Sequence, residues 1–165
     1  MACRPIRSVN ALSHYTDWTV GHVHAGALGW VALVIFGSFY ALVPWLWKRP
    51  KMYSARLVEV HFWLSLAGIL VYVFSMWNSG ILQGLMWRTY NESGALAYSF
   101  NESLEAMHPY YIARTIGGLL FLIGAVVGFY NIAMTARTPH PEQAASPDET
   151  VVPAGEYVEG KLRVS

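Results

Sequence analysis

Three long stretches of the chain contain no Asp, Glu, Lys or Arg: residues 18–47, 60–87 and 115–136. Each is longer than the roughly 20 residues that an α-helix needs to cross the hydrocarbon core of a bilayer. Apolar side chains occur all round these stretches, whereas a surface helix of a soluble protein would have one polar face. The pattern predicts an all-α membrane protein with three transmembrane helices, over about residues 18–47, 57–87 and 109–136.

Small residues recur in the second and third predicted helices, where they let membrane helices approach closely. They are Gly68, Ser75, Ser79, Gly80, Gly84, Gly117, Gly118, Gly124 and Gly128. Gly124 and Gly128 form a G-x-x-x-G spacing that favours helix pairing, although the same spacing is common by chance.

The polar segments around the three helices define the expected domain organisation. We expect an extramembrane N-terminal segment over 1–17, a transmembrane domain over 18–137, and a disordered tail over 138–165, which contains four prolines without sustained periodicity. The short loop after the first helix carries four cations, which places it in the cytoplasm by the positive-inside rule. They are Lys48, Arg49, Lys51 and Arg56. The tail is then expected in the cytoplasm and the N-terminus outside.

Composition supports a membrane protein and narrows its partners. Of the 165 residues, 55% are hydrophobic and 13% are charged, and the formal net charge is +1. This is too apolar for an ordinary soluble domain, and it leaves no electrostatic case for nucleic acid. Cys3 is the only cysteine and therefore closes no internal disulfide. The lipid bilayer is the first expected partner.

Two histidines lie near one end of the first predicted helix, in the run T-V-G-H-V-H-A-G-A-L-G-W. Ionisable side chains inside a membrane are costly and often mark a functional site. Residues two apart on an α-helix are turned by about 200°, so His22 and His24 face nearly opposite ways. They are poorly placed to share one metal ion, but they are able to bind two centres that flank the helix.

Haem is one centre that such histidines suit, because neutral imidazole is a common axial ligand of haem iron. A large flat macrocycle also needs small neighbours to approach the helix. Gly21, Ala25, Gly26, Ala27 and Gly29 provide them. The spacing suits equally well two interfacial polar residues that hydrogen-bond to other helices, so both interpretations stay open at this point.

Four segments of the chain carry a family resemblance: the region around the histidine pair at 8–30, V-E-V-H-F-W at 58–63, Q-G-L-M-W-R at 83–88 and H-P-Y-Y-I-A-R at 108–114. Together they resemble the catalytic subunits of cbb3-type cytochrome c oxidases, in the haem–copper oxidase superfamily. The resemblance covers roughly residues 8–137 and implies that the three helices are the last three of a twelve-helix subunit I fold. Residues 1–7 do not continue the family pattern, which leads us to expect a truncated or split subunit.

The resemblance also implies the cofactors. In that family the first histidine of the H-x-H pair ligates the high-spin haem b where oxygen is reduced, and the second ligates the low-spin haem b. Carried over, His22 binds the high-spin haem iron and His24 the low-spin haem iron. Arg88 and Arg114 lie on the expected haem side, where guanidinium groups suit anionic propionates. Snorkelling to lipid headgroups is their alternative role.

The remaining histidines carry weaker hypotheses. His14 and His108 lie on the expected haem side, where His14, Tyr15 and Asp17 could orient a haem edge or a nearby water, although solvated loop residues are the favoured interpretation. His61 lies near the opposite end of the second helix. A role in proton uptake is one hypothesis for it, and a hydrogen-bonded packing role is the favoured one.

Parts of the family's machinery lie outside this sequence, including the copper ligands and the other low-spin haem histidine. The expected function is that of the C-terminal portion of a cbb3-type oxidase catalytic subunit. It would take part in electron transfer to oxygen and proton pumping only when another chain supplies the missing helices, and copper would bind only to residues absent here. Alone, the chain is expected to be inactive.

The expected partners are those remaining helices, the oxidase subunits that carry c-type haems, and the lipid of a bacterial inner membrane. Cytochrome c is the expected electron source. The alternative is a truncated, non-catalytic membrane subunit that binds haem or only scaffolds other subunits, or a gene fragment.

Overall fold

The computed structural model describes residues 7–137, almost all of them in helices. The helices are α1 (Arg7–Ser13), α2 (Asp17–Leu46), α3 (Ala55–Met86) and α4 (Phe100–Arg137). Helices α2, α3 and α4 are each long and apolar enough to cross a membrane, which confirms the predicted fold class. Within the described range the only β-type pairing is an isolated bridge between Tyr90 and Leu96. The predictions for the tail over 138–165 and for the first six residues lie outside the described residues.

Helix α4 begins at Phe100, well before the start predicted at Pro109. A capping box opens it: the backbone N–H and the hydroxyl of Ser99 donate to the Glu102 carboxylate at 2.7 and 2.9 Å. In return, the backbone N–H of Glu102 donates to the Ser99 hydroxyl at 3.3 Å. This exchange satisfies amides that a helix start otherwise leaves unpaired. Pro109 therefore lies inside the helix.

Glycines bring α3 and α4 into backbone contact. A Cβ added at Gly68 would lie 2.5 Å from the backbone nitrogen of Phe121, and one at Gly117 would lie 2.7 Å from the backbone nitrogen of Tyr72. Real Cβ atoms do not approach backbone atoms this closely, so the two helices can cross at this distance only because both positions are glycine.

The G-x-x-x-G pair also lies at this interface. A Cβ at Gly124 would lie 2.5 Å from the hydroxyl oxygen of Ser65, and one at Gly128 would lie 3.1 Å from the ring of His61. Both glycines therefore face α3, and the predicted close approach of helices is found here.

The N-terminal end of α2 crosses α3 at a similar distance. A Cβ on Gly80 would overlap the backbone of Trp18, and one on Gly84 would overlap the carbonyl oxygen of Leu12 at the end of α1. The crossing places the first turn of α2, which precedes the two histidines, directly against α3.

Helix α2 changes its winding just after the histidine pair. It is α-helical over Asp17–His24, becomes a π-helix over Ala25–Ala32 and returns to α-helix over Leu33–Leu46. A π-helix uses i→i+5 hydrogen bonds, is rare, and is found frequently at functional sites. The sequence pattern did not predict this wide segment.

At the other end of the bundle, the loop between α2 and α3 is fastened to α4. The side-chain oxygen of Asn131 accepts from the backbone N–H of Ser54 at 3.0 Å, and its amide nitrogen donates to the Ser54 carbonyl at 2.9 Å. The hydroxyl of Thr135 accepts from the backbone N–H of Tyr53 at 2.9 Å. Because Asn131 is fully buried, these bonds replace water as the partner of the loop backbone.

Candidate functional site

Asp17 fixes the first turn of α2 to α3. Its backbone N–H donates to the side-chain oxygen of Gln83 at 2.9 Å, and its carboxylate accepts a 2.7 Å hydrogen bond from the Ser79 hydroxyl; both partners lie on α3. A carboxylate at a helix N-terminus is also favoured by the helix dipole. The turn that precedes the two histidines is therefore held by two hydrogen bonds to α3.

His22 lies one helical turn after Trp18, and its ring stacks on the indole. The ring centroids are 5.4 Å apart and the planes differ by 10°. Behind Trp18, the ring of Trp77 on α3 stacks with its centroid 6.4 Å from that of Trp18. Gly21 makes room for this arrangement, because a Cβ there would lie 2.9 Å from the Trp77 ring. The imidazole of His22 thus rests against an aromatic wall shared by α2 and α3.

His24 is held in a different way. Its Nδ1 lies 2.8 Å from the carbonyl oxygen of Val20. A carbonyl only accepts, so Nδ1 carries the proton in this hydrogen bond, and the neutral ring keeps its lone pair on Nε2. The ring centroid lies 4.9 Å from that of Tyr72 on α3. His24 is therefore in the tautomer of an Nε2 metal ligand.

Arg114 of α4 reaches the same tyrosine. Its guanidinium carbon lies 5.5 Å from the centroid of the Tyr72 ring, within the range of a cation–π interaction. Tyr72 thus joins His24 and Arg114 in one cluster. Arg88 is placed differently: it is exposed at the end of α3, and within residues 7–137 its guanidinium makes no hydrogen bond, ion pair or ring contact.

Small residues leave one surface of α2 open beside the histidines. A Cβ added at Gly26 would meet nothing within 4 Å, and both Gly26 and Ala27 are exposed. This part of α2, which follows the histidine pair directly, has room for a large flat ligand.

The other histidines of the described range have separate environments. His14 is exposed, and its ring packs edge-on to that of Tyr15 at 4.1 Å. His108 is exposed on α4. His61 is 2% exposed, and its Nδ1 lies 2.6 Å from the Tyr40 hydroxyl, as a hydrogen-bonded packing histidine would be. Residues 7–137 contain no cluster of three or more His, Cys, Asp or Glu side chains that could hold a metal ion.

Two aromatic residues of this site were not identified from the sequence. Trp18 precedes His22 by one turn, a spacing that puts both side chains on one side of an α-helix, so it could have been found by periodicity. Tyr72 meets His24 only through the crossing of α3 with α2, and no local pattern indicates such a contact.

Comparison with known proteins agrees with the resemblance noted in the sequence. Residues 3–120 match the family model described as Cytochrome C and Quinol oxidase polypeptide I. The chain is 60% identical over 137 residues to the cytochrome c oxidase subunit 1 homolog, bacteroid, of Bradyrhizobium diazoefficiens, covering 83% of this chain and 25% of that protein. It is 54% identical over 138 residues to the cbb3-type cytochrome c oxidase subunit CcoN1 of Stutzerimonas stutzeri, covering 84% of this chain and 29% of that protein.

The chain is also 48% identical over 135 residues to the cytochrome c oxidase subunit 1 of Rhodobacter capsulatus. The match covers 81% of this chain and 25% of that protein. The chain spans about a quarter of the length of the curated relatives it matches.

Proposed function

Because the chain belongs to the cytochrome c and quinol oxidase polypeptide I family, we propose that it supplies one ligand to each of two haems in a cbb3-type cytochrome c oxidase. His22 would hold the high-spin haem b, which would supply the site of oxygen reduction, and His24 would hold the low-spin haem b, which would supply electrons. The subunit is a multi-pass membrane protein, in keeping with its three apolar helices.

The observation that carries this proposal is the state of His24. Its Nδ1–H is engaged by the carbonyl of Val20, which leaves Nε2 free to coordinate iron. His22 lies two residues away and is turned by about 200° on the α-helical segment. Because the two rings meet different neighbours, each can face its own haem while one helix lies between them.

The residues around the histidines fit haem. The exposed, unobstructed surface at Gly26 admits a flat macrocycle close to the helix backbone. Arg114, with its guanidinium over the Tyr72 ring, offers N–H groups to a propionate. Arg88 is exposed and available for the same role on the outer rim.

Bound haem supplies redox-active iron for electron transfer and for oxygen reduction. The chain's own residues hold and orient it. The Val20 carbonyl keeps the proton of His24 on Nδ1 and fixes the orientation of the ring. The hydrogen bonds of Asp17 fix the helix turn that precedes both imidazoles.

The proposal extends to the assembly. The remainder of the catalytic subunit would supply the copper ligands, the second low-spin haem histidine and the residues for proton pumping, and subunits with c-type haems would pass on electrons from cytochrome c. The complex would reside in the bacterial inner membrane, with the loop between α2 and α3 and the C-terminal tail in the cytoplasm. The cations of that loop support this orientation.

Difference spectra of the oxidase complex, purified through a tag on this chain, test the ligand assignment. We expect His24→Ala to remove the reduced-minus-oxidised absorbance of the low-spin haem. We expect His22→Ala to remove the haem that binds carbon monoxide. His108→Ala, at an exposed histidine of α4, is the control and should leave both signals unchanged. Spectra that neither His22→Ala nor His24→Ala alters would refute the proposal.

A further inference from the structure

We infer that Trp18 and Tyr72 are positioning residues, and that each fixes the orientation of one of the two proposed haem ligands independently of the other. We call the contact of Trp18 with His22 the Trp18 brace and the contact of Tyr72 with His24 the Tyr72 brace. The inference rests on the proposed function, since it concerns the orientation of His22 and His24 as ligands. It follows from two separate ring contacts: Trp18 stacks on His22, and Tyr72 packs against His24.

The Trp18 brace restricts rotation of the His22 ring. An imidazole stacked at 10° on an indole loses that contact when it turns about its Cβ–Cγ bond. Trp18 itself is unable to withdraw, because the Trp77 ring lies behind it and its backbone touches α3 where Gly80 has no side chain. The orientation of His22 is therefore set by a three-ring stack that ends in α3.

The Tyr72 brace is anchored in the core between α3 and α4. Tyr72 is 8% exposed and packs with Ile69, Val73 and Met76. Its backbone is held by the close approach of Gly117. A ring fixed in this way limits the movement of the His24 imidazole on one side, while the hydrogen bond to Val20 limits its rotation.

The rings that touch the two histidines are different, and the two sets of contacts share only Trp77, which also packs against the core cluster that contains Tyr72. A change in Trp18 or in Tyr72 itself should therefore be felt by one haem. The ligand of the high-spin haem depends on Trp18 and Trp77. The ligand of the low-spin haem depends on Tyr72, which also lies beneath the Arg114 guanidinium. A role limited to folding would instead affect both haems together, because both histidines are mounted on the same helix turn.

The test uses the purified oxidase complex and two spectroscopic signals. The iron–histidine stretching band in resonance Raman spectra of the reduced complex reports the high-spin haem, and the electron paramagnetic resonance g-values of the oxidised complex report the low-spin haem. We expect Trp18→Leu to shift or broaden the first signal and leave the second unchanged. We expect Tyr72→Leu to shift the g-values and leave the Raman band unchanged.

Conservative and control variants separate bracing from folding. Trp18→Phe retains a smaller ring and should shift the Raman band less than Trp18→Leu, and Tyr72→Phe retains the whole ring and should leave the g-values unchanged. Trp63→Leu and Tyr130→Leu remove side chains that are 65% and 53% exposed, and neither should alter either signal. If Trp18→Leu does not assemble, Trp18→Phe decides: a band at the wild-type position overturns the inference.

Failure of this inference is distinguishable from failure of the proposed function. Suppose that His22→Ala and His24→Ala each remove a haem, but that Trp18→Leu and Tyr72→Leu shift neither signal or shift both signals alike. The positioning roles of Trp18 and Tyr72 are then refuted, whereas the assignment of His22 and His24 as ligands stands. If the histidine variants keep both haems, the ligand assignment itself fails and the bracing inference fails with it.

Discussion

The hydroxyl of Tyr40 lies 2.6 Å from Nδ1 of His61, and this hydrogen bond joins the second half of α2 to α3. The His61 ring centroid also lies 4.3 Å from that of Phe36, and the backbone of α4 passes it at Gly128. One polar pair therefore lies where all three long helices meet, and its histidine is 2% exposed. In such surroundings a polar group without a partner is costly.

Tyr40→Phe should destabilise the bundle, because it leaves Nδ1 of the buried His61 without its partner. We expect a loss of about 1–3 kcal/mol in the free energy of unfolding, measured by thermal or denaturant unfolding of the purified complex in detergent. Tyr130→Phe removes a hydroxyl from a tyrosine that is 53% exposed and should change stability by less than about 0.5 kcal/mol. Equal stability of the two variants would mean that the bond contributes nothing.

Gly80→Ala should disturb the crossing of α2 and α3, because the new methyl group would overlap the backbone of Trp18. Forced overpacking of this kind costs typically about 1–3 kcal/mol, seen as a lower unfolding temperature. Gly37→Ala is the matched control: a Cβ at Gly37 meets nothing within 4 Å, so this variant should be neutral or slightly more stable. The prediction is wrong if both alanine variants unfold together.

Asn131→Leu should release the loop between α2 and α3, because the backbone N–H and carbonyl of Ser54 would both lose their partner. Two unpaired backbone groups cost at least about 2 kcal/mol, so opening of the loop, and trypsin cleavage at Lys51, should accelerate more than about tenfold. Gel analysis of timed digests measures the rate.

The control for the loop is Asn78→Leu, whose side chain is exposed and bonds only to the Phe74 carbonyl of its own helix. Its digestion rate should match that of the unmodified chain. An unchanged rate for Asn131→Leu would show that other contacts hold the loop.

Glu102→Ala should fray the first turn of α4, because it removes the acceptor of both Ser99 bonds. Loss of a helix cap destabilises the first turn of a helix. We expect faster amide hydrogen exchange over the first turn of α4 and no change in the middle of the helix. Glu102→Gln keeps an acceptor oxygen and should exchange more slowly than Glu102→Ala; the opposite order would contradict the capping box.

The three spans could be predicted because charge-free length is a strong signal in a membrane chain. The start of α4 differs from the prediction because Pro109, which is typical of a first helical turn, lies inside the helix, and the capping box of Ser99 and Glu102 begins the helix instead. The opposed directions of His22 and His24 also follow from helical geometry alone.

The surroundings of the two histidines could be predicted only in part. Trp18 lies one turn before His22 and was within reach of a periodicity argument. The contacts of Tyr72 with His24 and Arg114 depend on where three helices cross, and that depends on how closely Gly68 and Gly117 allow backbones to approach. A sequence shows which residues are small, but not which of them meet.

The π-helical segment Ala25–Ala32 gives α2 two separate angular registers. Because this segment holds more residues per turn than an α-helix, the residues below it do not lie at the angles that counting from His22 would give. The direction of Phe36 and Tyr40 relative to His22 depends on the i→i+5 hydrogen bonds of this segment. The part of α2 that carries His22 and His24 and the part that packs against His61 belong to one continuous helix. Each part can nevertheless be aligned with its own partners independently of the other.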